Sequence, residues 1–441
     1  MNDAHWKAVV DFLSQYPDLG AQSQEKLSED DFSLEKMESF VEALGHPEQD
    51  YASLHVAGTN GKGSVCVLNA AALQAQGHKV GLYTSPHLKG PFAGIRINGK
   101  AIAAGEAANL LENMRPHLEA IPGITSFEIV TALAFLYFSK HEVDVAVIEV
   151  GLGGRLDASN VISPLVSVIT PIDYEHQSIL GESLSEIAAH KAGIIKQETP
   201  LVIAPQAEEV RELLHAQANK FDSKIVEVGR HVHGERGEFS NDGQNISLWS
   251  GVGLINKLDL AIKLHGKHQM ENAITAYAAL IVLDALGIPV GDDAIRNGFS
   301  SAEWPGRFEI MNGDMQIVLD AAHTPAAGLR LAEALEDYFP EKELVGLVGI
   351  SGDKDAAALL APIGNRFRGI VATQSEHPRA MKAERLAEDI NNAGLQAIGI
   401  ADPAQALKKA EEMLSADDVL VVFGSVFLVE QVRNLERKIQ S

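Results

Sequence analysis

The chain has 441 residues, 46% hydrophobic and 22% charged, with 36 Lys and Arg against 60 Asp and Glu and a net charge of −24. That length points to two domains, and the acidic excess, whose simplest meaning is solubility, disfavours non-specific nucleic-acid binding. The single cysteine, Cys66, excludes a disulfide framework and a thiolate metal cluster; with no signal-peptide run and no membrane-length apolar stretch, the expectation is a cytoplasmic protein off the membrane.

SLHVAG, 53–58, is a short apolar strand that runs into the stretch GTNGKGS. SVCVLNAAALQAQG, 64–77, follows as a helix with Gly77 as its C-cap. KVGLYTS is the next strand and 126–139 a largely apolar helix. VDVAVIEV, 143–150, is a continuous β-branched run, as in a strand covered on both faces. LVSVITPI, 165–172, then a helix over 183–195 and the strand PLVIAP continue the alternation. This pattern predicts α/β with a mostly parallel sheet. From 224 to 265 the sequence becomes short, turn-punctuated and partly alternating, which predicts a small antiparallel β annex. Helices return at 268–286 and 292–299. The stretch EWPGRFEI, 303–310, marks a domain boundary. Beyond it, strands in MQIVLDAAH, ELVGLVGI, RGIVATQS and DVLVVFGSV alternate with helices over 326–338, 381–392 and 403–414. They predict a smaller, doubly wound, Rossmann-like domain. The expected division is 1–302 and 303–441.

GTNGKGS departs from the common phosphate loop. The Walker pattern wants an earlier Gly where Val56 stands, and Ser or Thr directly after the Lys, where Gly63 stands. The setting between a buried strand and a helix still makes a phosphate site. Gly58, Gly61 and Gly63 let backbone N–H groups turn towards an anion, with Thr59 and Asn60 between them. Lys62 reaches terminal phosphates, and Ser64 at the helix start presents a hydroxyl for magnesium. Glu149 falls near the C-terminal end of a buried strand, the edge where open α/β sheets bind ligands. A carboxylate there must pair or bind metal. Arg155, Asp157 and Asn160 share the loop that follows; a local Arg155–Asp157 ion pair is the plainer alternative. His176 follows another strand end, although a lone His is more often structural. Lys191 lies in IAAHKAGII. Semi-buried, it would have a lowered pKa and a reactive amine; composition alone favours a snorkelling surface lysine. Gln269 and Asn272 start a helix, where amides commonly only cap. Arg307, Asp320 and His323 sit at the boundary and just past a second-domain strand.

GTNGKGS, YTSPHL, FEIVTALAF, EVGLGGRLDASN, DYEHQSILG, HKAGIIK, WPGRFE, LDAAH and GSVFLV stand in this order from about residue 35 onwards. Together they resemble the folylpolyglutamate synthase / dihydrofolate synthase family, bifunctional bacterial type, of the Mur ligase superfamily. The Gly63-Ser64 ending favours this branch over the Mur ligases proper, which place Thr after the Lys. The resemblance implies a P-loop-containing, Mur-ligase-like ATPase domain and a C-terminal glutamate-ligase domain. It implies ATP held by Gly58, Thr59, Asn60, Gly61, Lys62, Gly63 and Ser64, with Asn272, Arg307, Asp320 and His323. It implies two Mg2+ sites drawing on Ser64, Glu149, His176 and Lys191, the last as a carbamate that supplies an anionic oxygen. The resemblance also implies catalytic roles for Lys62, Lys191 and His176. Thr84, Ser85, Pro86, His87, Phe127, Arg155 and Asp157 match the pterin side.

The implied reaction is ATP-dependent ligation of L-glutamate to dihydropteroate or a reduced folate through an acyl phosphate, by a monomer with small-molecule partners. A Mur-type ligase acting on a cell-wall precursor and a non-catalytic nucleotide-binding module are the alternatives; intact Lys62, Ser64, Glu149, His176 and Lys191 argue against the second. There are departures from the family pattern. Phe92-Ala93-Gly94 stands where Asn-Glu-Arg is usual, which puts pterin specificity in question. Asp320-Ala321-Ala322-His323-Thr324-Pro325 and Glu175-His176 are milder changes.

Overall fold

The computed structural model describes residues 4–22, 27, 29–85, 91–251, 257–313 and 315–439. Among these residues the strands form sheets of eight, three and six. The large sheet contains β1 (Ala52–Ala57), β2 (Val80–Tyr83), β3 (Ile95–Ile97), β4 (Lys100–Ala101), β5 (Val145–Glu149), β6 (Val166–Ile169), β7 (Leu201–Ile203) and β8 (Ile225–Glu227). Their order is β4-β3-β2-β5-β1-β6-β7-β8. β3 runs antiparallel to β2 and β4, and the remaining pairs are parallel. β1 is thus central, between β5 and β6. Every residue of β5 and β6 is buried, as their unbroken β-branched runs require of strands covered on both faces. Val56 lies opposite Glu149, and Ala57 opposite Ile169. This register brings the C-terminal ends of the three strands side by side.

The helix after β1 is Lys62–Gln76. It starts two residues earlier than the sequence pattern suggests, because Gly61 turns at φ 90° and lets Lys62 enter the first turn. It ends where expected, at Gly77, whose N–H returns to the carbonyls of Gln74 and Leu73. The predicted helix over 183–195 divides into an α-helix, Leu184–Lys191, and a 3-10 turn, Ala192–Ile194. Ser183 and Glu186 form a capping box at its start, each bonding the other's backbone N–H.

The annex differs from expectation at its first strand. Ile225–Glu227 pairs parallel with β7 and extends the large sheet. The annex proper is β9 (Val232–Ser240), β10 (Gly243–Ser250) and β11 (Leu258–Ile262), in the order β11-β10-β9. The two-residue connection between β9 and β10 makes that pair antiparallel.

The chain divides into two compact units. One comprises Met1–Gly237, Asn245–Ala261 and Met270–Ala302; the other comprises Glu238–Gln244, Ile262–Gln269 and Glu303–Ser441. The second unit is built on β12 (Glu309–Asn312), β13 (Gln316–Asp320), β14 (Leu344–Val348), β15 (Phe367–Ala372), β16 (Ala397–Gly399) and β17 (Val419–Phe423). Their order is β12-β13-β17-β14-β15-β16, with β12 antiparallel and the rest parallel. β12 and β16 carry no strong strand signal and escape the sequence reading. Phe308, Leu335, Val421 and Phe423 are buried in this unit's core. No helix among the described residues is long and apolar enough to cross a membrane.

Helix Asp292–Ser301 crosses Lys62–Gln76 so closely that a Cβ on Gly298 would fall into the backbone of Ala71 and Ala72. Gly298→Ala is therefore expected to destabilise the protein by about 2 kcal/mol through overpacking. Urea denaturation measures this, and an unchanged midpoint would show that the helices can separate freely.

Candidate active site

The loop between β1 and its helix is fastened to the end of β6. The N–H groups of Thr59 and Asn60 both donate to the carbonyl of Pro171, at 3.0 and 3.3 Å. Thr59 Oγ1 donates to the Asp173 carbonyl and accepts from the Asp173 N–H, at 3.0 and 3.1 Å. Two of the loop amides expected to face an anion are thus engaged elsewhere. The amides of Lys62, Gly63 and Ser64 remain for that task, since the first helical turn has no intrahelical acceptors for them. Glycine is required at both ends of the loop. A Cβ on Gly58 (φ 143°) would strike the Thr170 side chain, and one on Gly61 would strike Oδ1 of Asn272. Asn272 is thereby placed against the loop.

Two lysines converge on one oxygen. Lys62 Nζ donates to the Gly58 carbonyl at 3.1 Å and the Thr59 carbonyl at 3.3 Å. Lys191 Nζ donates to the same Gly58 carbonyl at 2.8 Å. Lys191 is 2% exposed, so the surface-lysine reading that composition favoured does not hold. Burial pushes its pKa down to about 7, and the positive charge of Lys62 adds to the fall, against opposing effects of Glu175 and Asp157. An amine poised this way is partly neutral near pH 7.

Glu149, 5% exposed, ends β5 beside the loop. Its Oε2 accepts from the Ser85 N–H at 3.3 Å. Burial raises the thiol pKa of Cys66, and Glu149 raises it further while Lys62 opposes, so all three share one neighbourhood. Ser64 is buried at the third helical position. His176 takes left-handed backbone (φ 52°) with Nε2 3.4 Å from Glu175 Oε1. Among the described residues no three His, Cys, Asp or Glu side chains form a ready cation cage. Ser64 and Glu149 nonetheless offer hard oxygen donors next to a phosphate-type loop. That fits Mg2+, which keeps water and phosphate oxygens and needs few protein ligands.

The loop after β5 is held from within. Asp157 accepts from Leu152 N–H at 2.8 Å, from Ser159 N–H at 3.0 Å, from the Gly151 N–H and from the Ser159 hydroxyl. Burial raises its pKa against these bonds. It does not pair with Arg155, whose guanidinium meets Glu29. Gly151 lies so close to Phe127 that a Cβ would enter the ring. Gly154 packs on the backbone of Lys191, and Arg155 N–H donates to the His190 carbonyl at 2.8 Å. Of the remaining pterin-side expectations, Thr84 is buried and Ser85 partly so, while Pro86 and His87 lie outside the described residues. Phe92 is buried in the core with its ring 5.1 Å from Trp6. The departure Phe92-Ala93-Gly94 therefore includes a core anchor.

In the second unit, Asp320 ends β13. Its two oxygens accept from Phe308 N–H and Ala322 N–H, both at 2.7 Å, and Arg307 and His323 act on it electrostatically. His323 Nδ1 donates to the Ala321 carbonyl at 2.9 Å. The sequence reading missed the neighbours of this strand edge. Lys354, paired with Asp353 at 3.8 Å, follows β14. Ser425 follows β17, and the His377 ring, after β15, stacks on Phe427 at 4.1 Å. The signal available was placement: each lies just past an apolar strand. His55 was also missed, because a histidine within a strand looks like core.

The chain matches the Mur ligase middle domain over residues 56–280 and the Mur ligase glutamate ligase domain over 306–426. It is 36% identical over 377 residues to the dihydrofolate synthase/folylpolyglutamate synthase of Mycobacterium tuberculosis, covering 81% of this chain and 77% of that one. Its structure resembles the M. tuberculosis folylpolyglutamate synthase complexed with ADP and AMPPCP, with a TM-score of 0.88, 33% identity and 98% of each chain covered. It also resembles E. coli FolC in complex with DHPP and ADP, with a TM-score of 0.87, 28% identity and the same coverage.

The lysine convergence has a pH signature. With a folded-state pKa near 7 against 10.5 unfolded, Lys191 leaves the folded chain with fewer protons between those values. Its burial penalty is full below pH 7 and fades as pH rises towards 10.5. In bicarbonate-free buffer, the stability of Lys191→Met relative to the unsubstituted protein should be greatest near pH 7 and fall as pH rises. Urea denaturation across the range reads this, and a pH-independent difference would contradict it. The loop, its paired lysines and these matches together place the chain in the dihydrofolate synthase/folylpolyglutamate synthase family of ATP-dependent ligases.

Proposed function

We propose that the protein joins L-glutamate to the carboxylate of a pteroate or folate, with ATP as the activating co-substrate. The observation that carries the reading is the convergence of Lys62 and Lys191 on the Gly58 carbonyl, beside Glu149 and the Lys62–Ser64 amides. The relatives' names and the ligands of the solved structures support the substrate class.

A carboxylate is a poor electrophile, so it must first be activated. One of its oxygens attacks the γ-phosphorus of ATP, the bond to the β–γ bridging oxygen breaks, and an acyl phosphate and ADP result. Lys62 and the first-turn amides face the transferring phosphoryl group and offset its negative charge. Ser64 and Glu149 would hold Mg2+, and His176 would serve a second ion; such an ion would supply positive charge to the phosphate oxygens. Lys191 reacts as the neutral amine with carbon dioxide, forming a carbamate and releasing one proton. The buried lysine thereby becomes an anionic oxygen donor of the kind Mg2+ prefers.

The glutamate amine then attacks the acyl carbon. An amide forms, phosphate leaves, and the amine gives up its proton. An acidic amino acid needs cationic partners, and in the second unit Lys354 and Arg379 follow adjacent strands β14 and β15. Asn272, placed against Gly61 of the loop, adds a nucleotide contact; within the second unit Arg307, Asp320 and His323 are the residues that the family resemblance assigns to nucleotide, and Thr84, Ser85, Phe127, Arg155 and Asp157 are those it assigns to the pterin. The substrates are small molecules, and the protein acts as a monomer.

Phosphate release tests this, measured with ATP and glutamate plus dihydropteroate, tetrahydrofolate, or neither. Stimulation by at least one pterin is expected, and none with either would sink the reading; stimulation by both would assign two activities. Lys62→Ala should lower kcat by about a hundredfold or more, the scale of losing a preorganised charge partner. Lys191→Ala should lose activity in the same assay, and full activity without bicarbonate dependence would remove the carbamate.

A further inference from the structure

His55 lies in the middle of β1, 0% exposed, on a strand whose neighbours form the site's edge. Its Nε2 is 2.9 Å from the Ser159 hydroxyl oxygen. Its Nδ1 is buried without a hydrogen-bond partner. The proton inventory fixes the direction of this contact. Asp157 receives hydrogen bonds from backbone N–H groups of Gly151, Leu152 and Ser159, so its carboxylate acts purely as an acceptor. The single hydroxyl proton of Ser159 is directed at that carboxylate. His55 Nε2 must therefore carry the proton and donate to Ser159, leaving Nδ1 as the bare nitrogen. Burial and nearby Lys196 push the His55 pKa down to about 3, which keeps this tautomer neutral.

Ser159 is itself fully buried, so it is no nucleophile. Its place is between a rigid central strand and the one carboxylate that gathers the amides of the loop after β5. That loop lies against Phe127 at Gly151 and against the Lys191 backbone at Gly154. Asn160 fastens its far end, donating to the carbonyls of Arg155 and Gly193 at 3.0 and 3.1 Å.

We infer that His55 is a positioning residue for the pterin substrate: through Ser159 it orients Asp157, and Asp157 sets the Gly151–Asp157 loop against Phe127. The inference rests on the functional reading above, in which this loop and Phe127 form the pterin side. A leucine at 55 keeps the volume and removes the donor. Glutamine restores an N–H at similar reach.

The test is steady-state kinetics with each substrate varied in turn. His55→Leu should raise the pterin KM about tenfold, the scale of one lost hydrogen bond in a buried network, with the ATP KM changed less than about twofold. His55→Gln should recover most of that loss, which general core damage would not permit. An unchanged pterin KM, or an equal rise for ATP, overturns the inference. If His55→Leu does not fold, Ser159→Ala breaks the same chain and answers to the same criteria. Absence of pterin-dependent turnover in the unsubstituted protein would instead sink the functional reading. The positioning chain then stands or falls on hydrogen exchange: protection of the Gly151 and Leu152 amides should drop in the folded variant, and unchanged protection overturns it.

Discussion

The carbonyl oxygen of Gly58 accepts a hydrogen bond from Lys62 and another from Lys191. Two ammonium groups cannot comfortably share one acceptor in a buried setting, where like charges are weakly screened. Lys62 is the more exposed and keeps access to anionic ligands. Lys191 is enclosed, and its proton is the one made labile. From this single asymmetry follow the division of labour between the lysines and the chemistry available to each.

The asymmetry depends on how rigidly Gly58 is held. β1 is clamped by parallel ladders on both sides, and its loop is tied to Pro171 and Asp173 at the end of β6. No side chain fits at Gly58, where an added Cβ would strike Thr170, so only glycine can present its carbonyl here. Lys191 reaches it from a helix whose start is fixed by the Ser183–Glu186 box and whose end tightens into a 3-10 turn. The loop after β5 packs on that end through Gly154 and Arg155. Position therefore comes from backbone contacts, which a flexible side chain alone could not provide.

The second unit uses a similar device. Asp320 closes the end of β13 by accepting from two backbone amides, one of them at Phe308, which is in left-handed backbone. A carboxylate committed to amides in this way shapes a strand edge, and Asp157 does the same in the first unit. Residues that a motif marks as functional thus serve first as supports for the loops that carry them. Phe92 belongs with them: standing at a departure from the family pattern, it is a packing residue against Trp6.

The sequence by itself determined the α/β class, the glycine loop and the ordered motifs. Continuous β-branched runs admit little except buried parallel strands, and Gly58, Gly61 and Gly77 each answer a local backbone demand. Weaker elements were invisible to it. β12 and β16 are short edge strands stabilised by the neighbours they pair with, and Ile225–Glu227 joins the large sheet because β7 lies beside it. Tertiary structure decided the burial of Lys191, which composition alone reads as a surface lysine. It also decided the engagement of Thr59 and Asn60 by Pro171, the separation of Arg155 from Asp157, and the chain from His55 to Asp157. Each depends on which residues distant in sequence come within hydrogen-bond range. A one-dimensional pattern records what a residue can do; the ionisation of an amine and the direction of a proton are set by the groups folded around it.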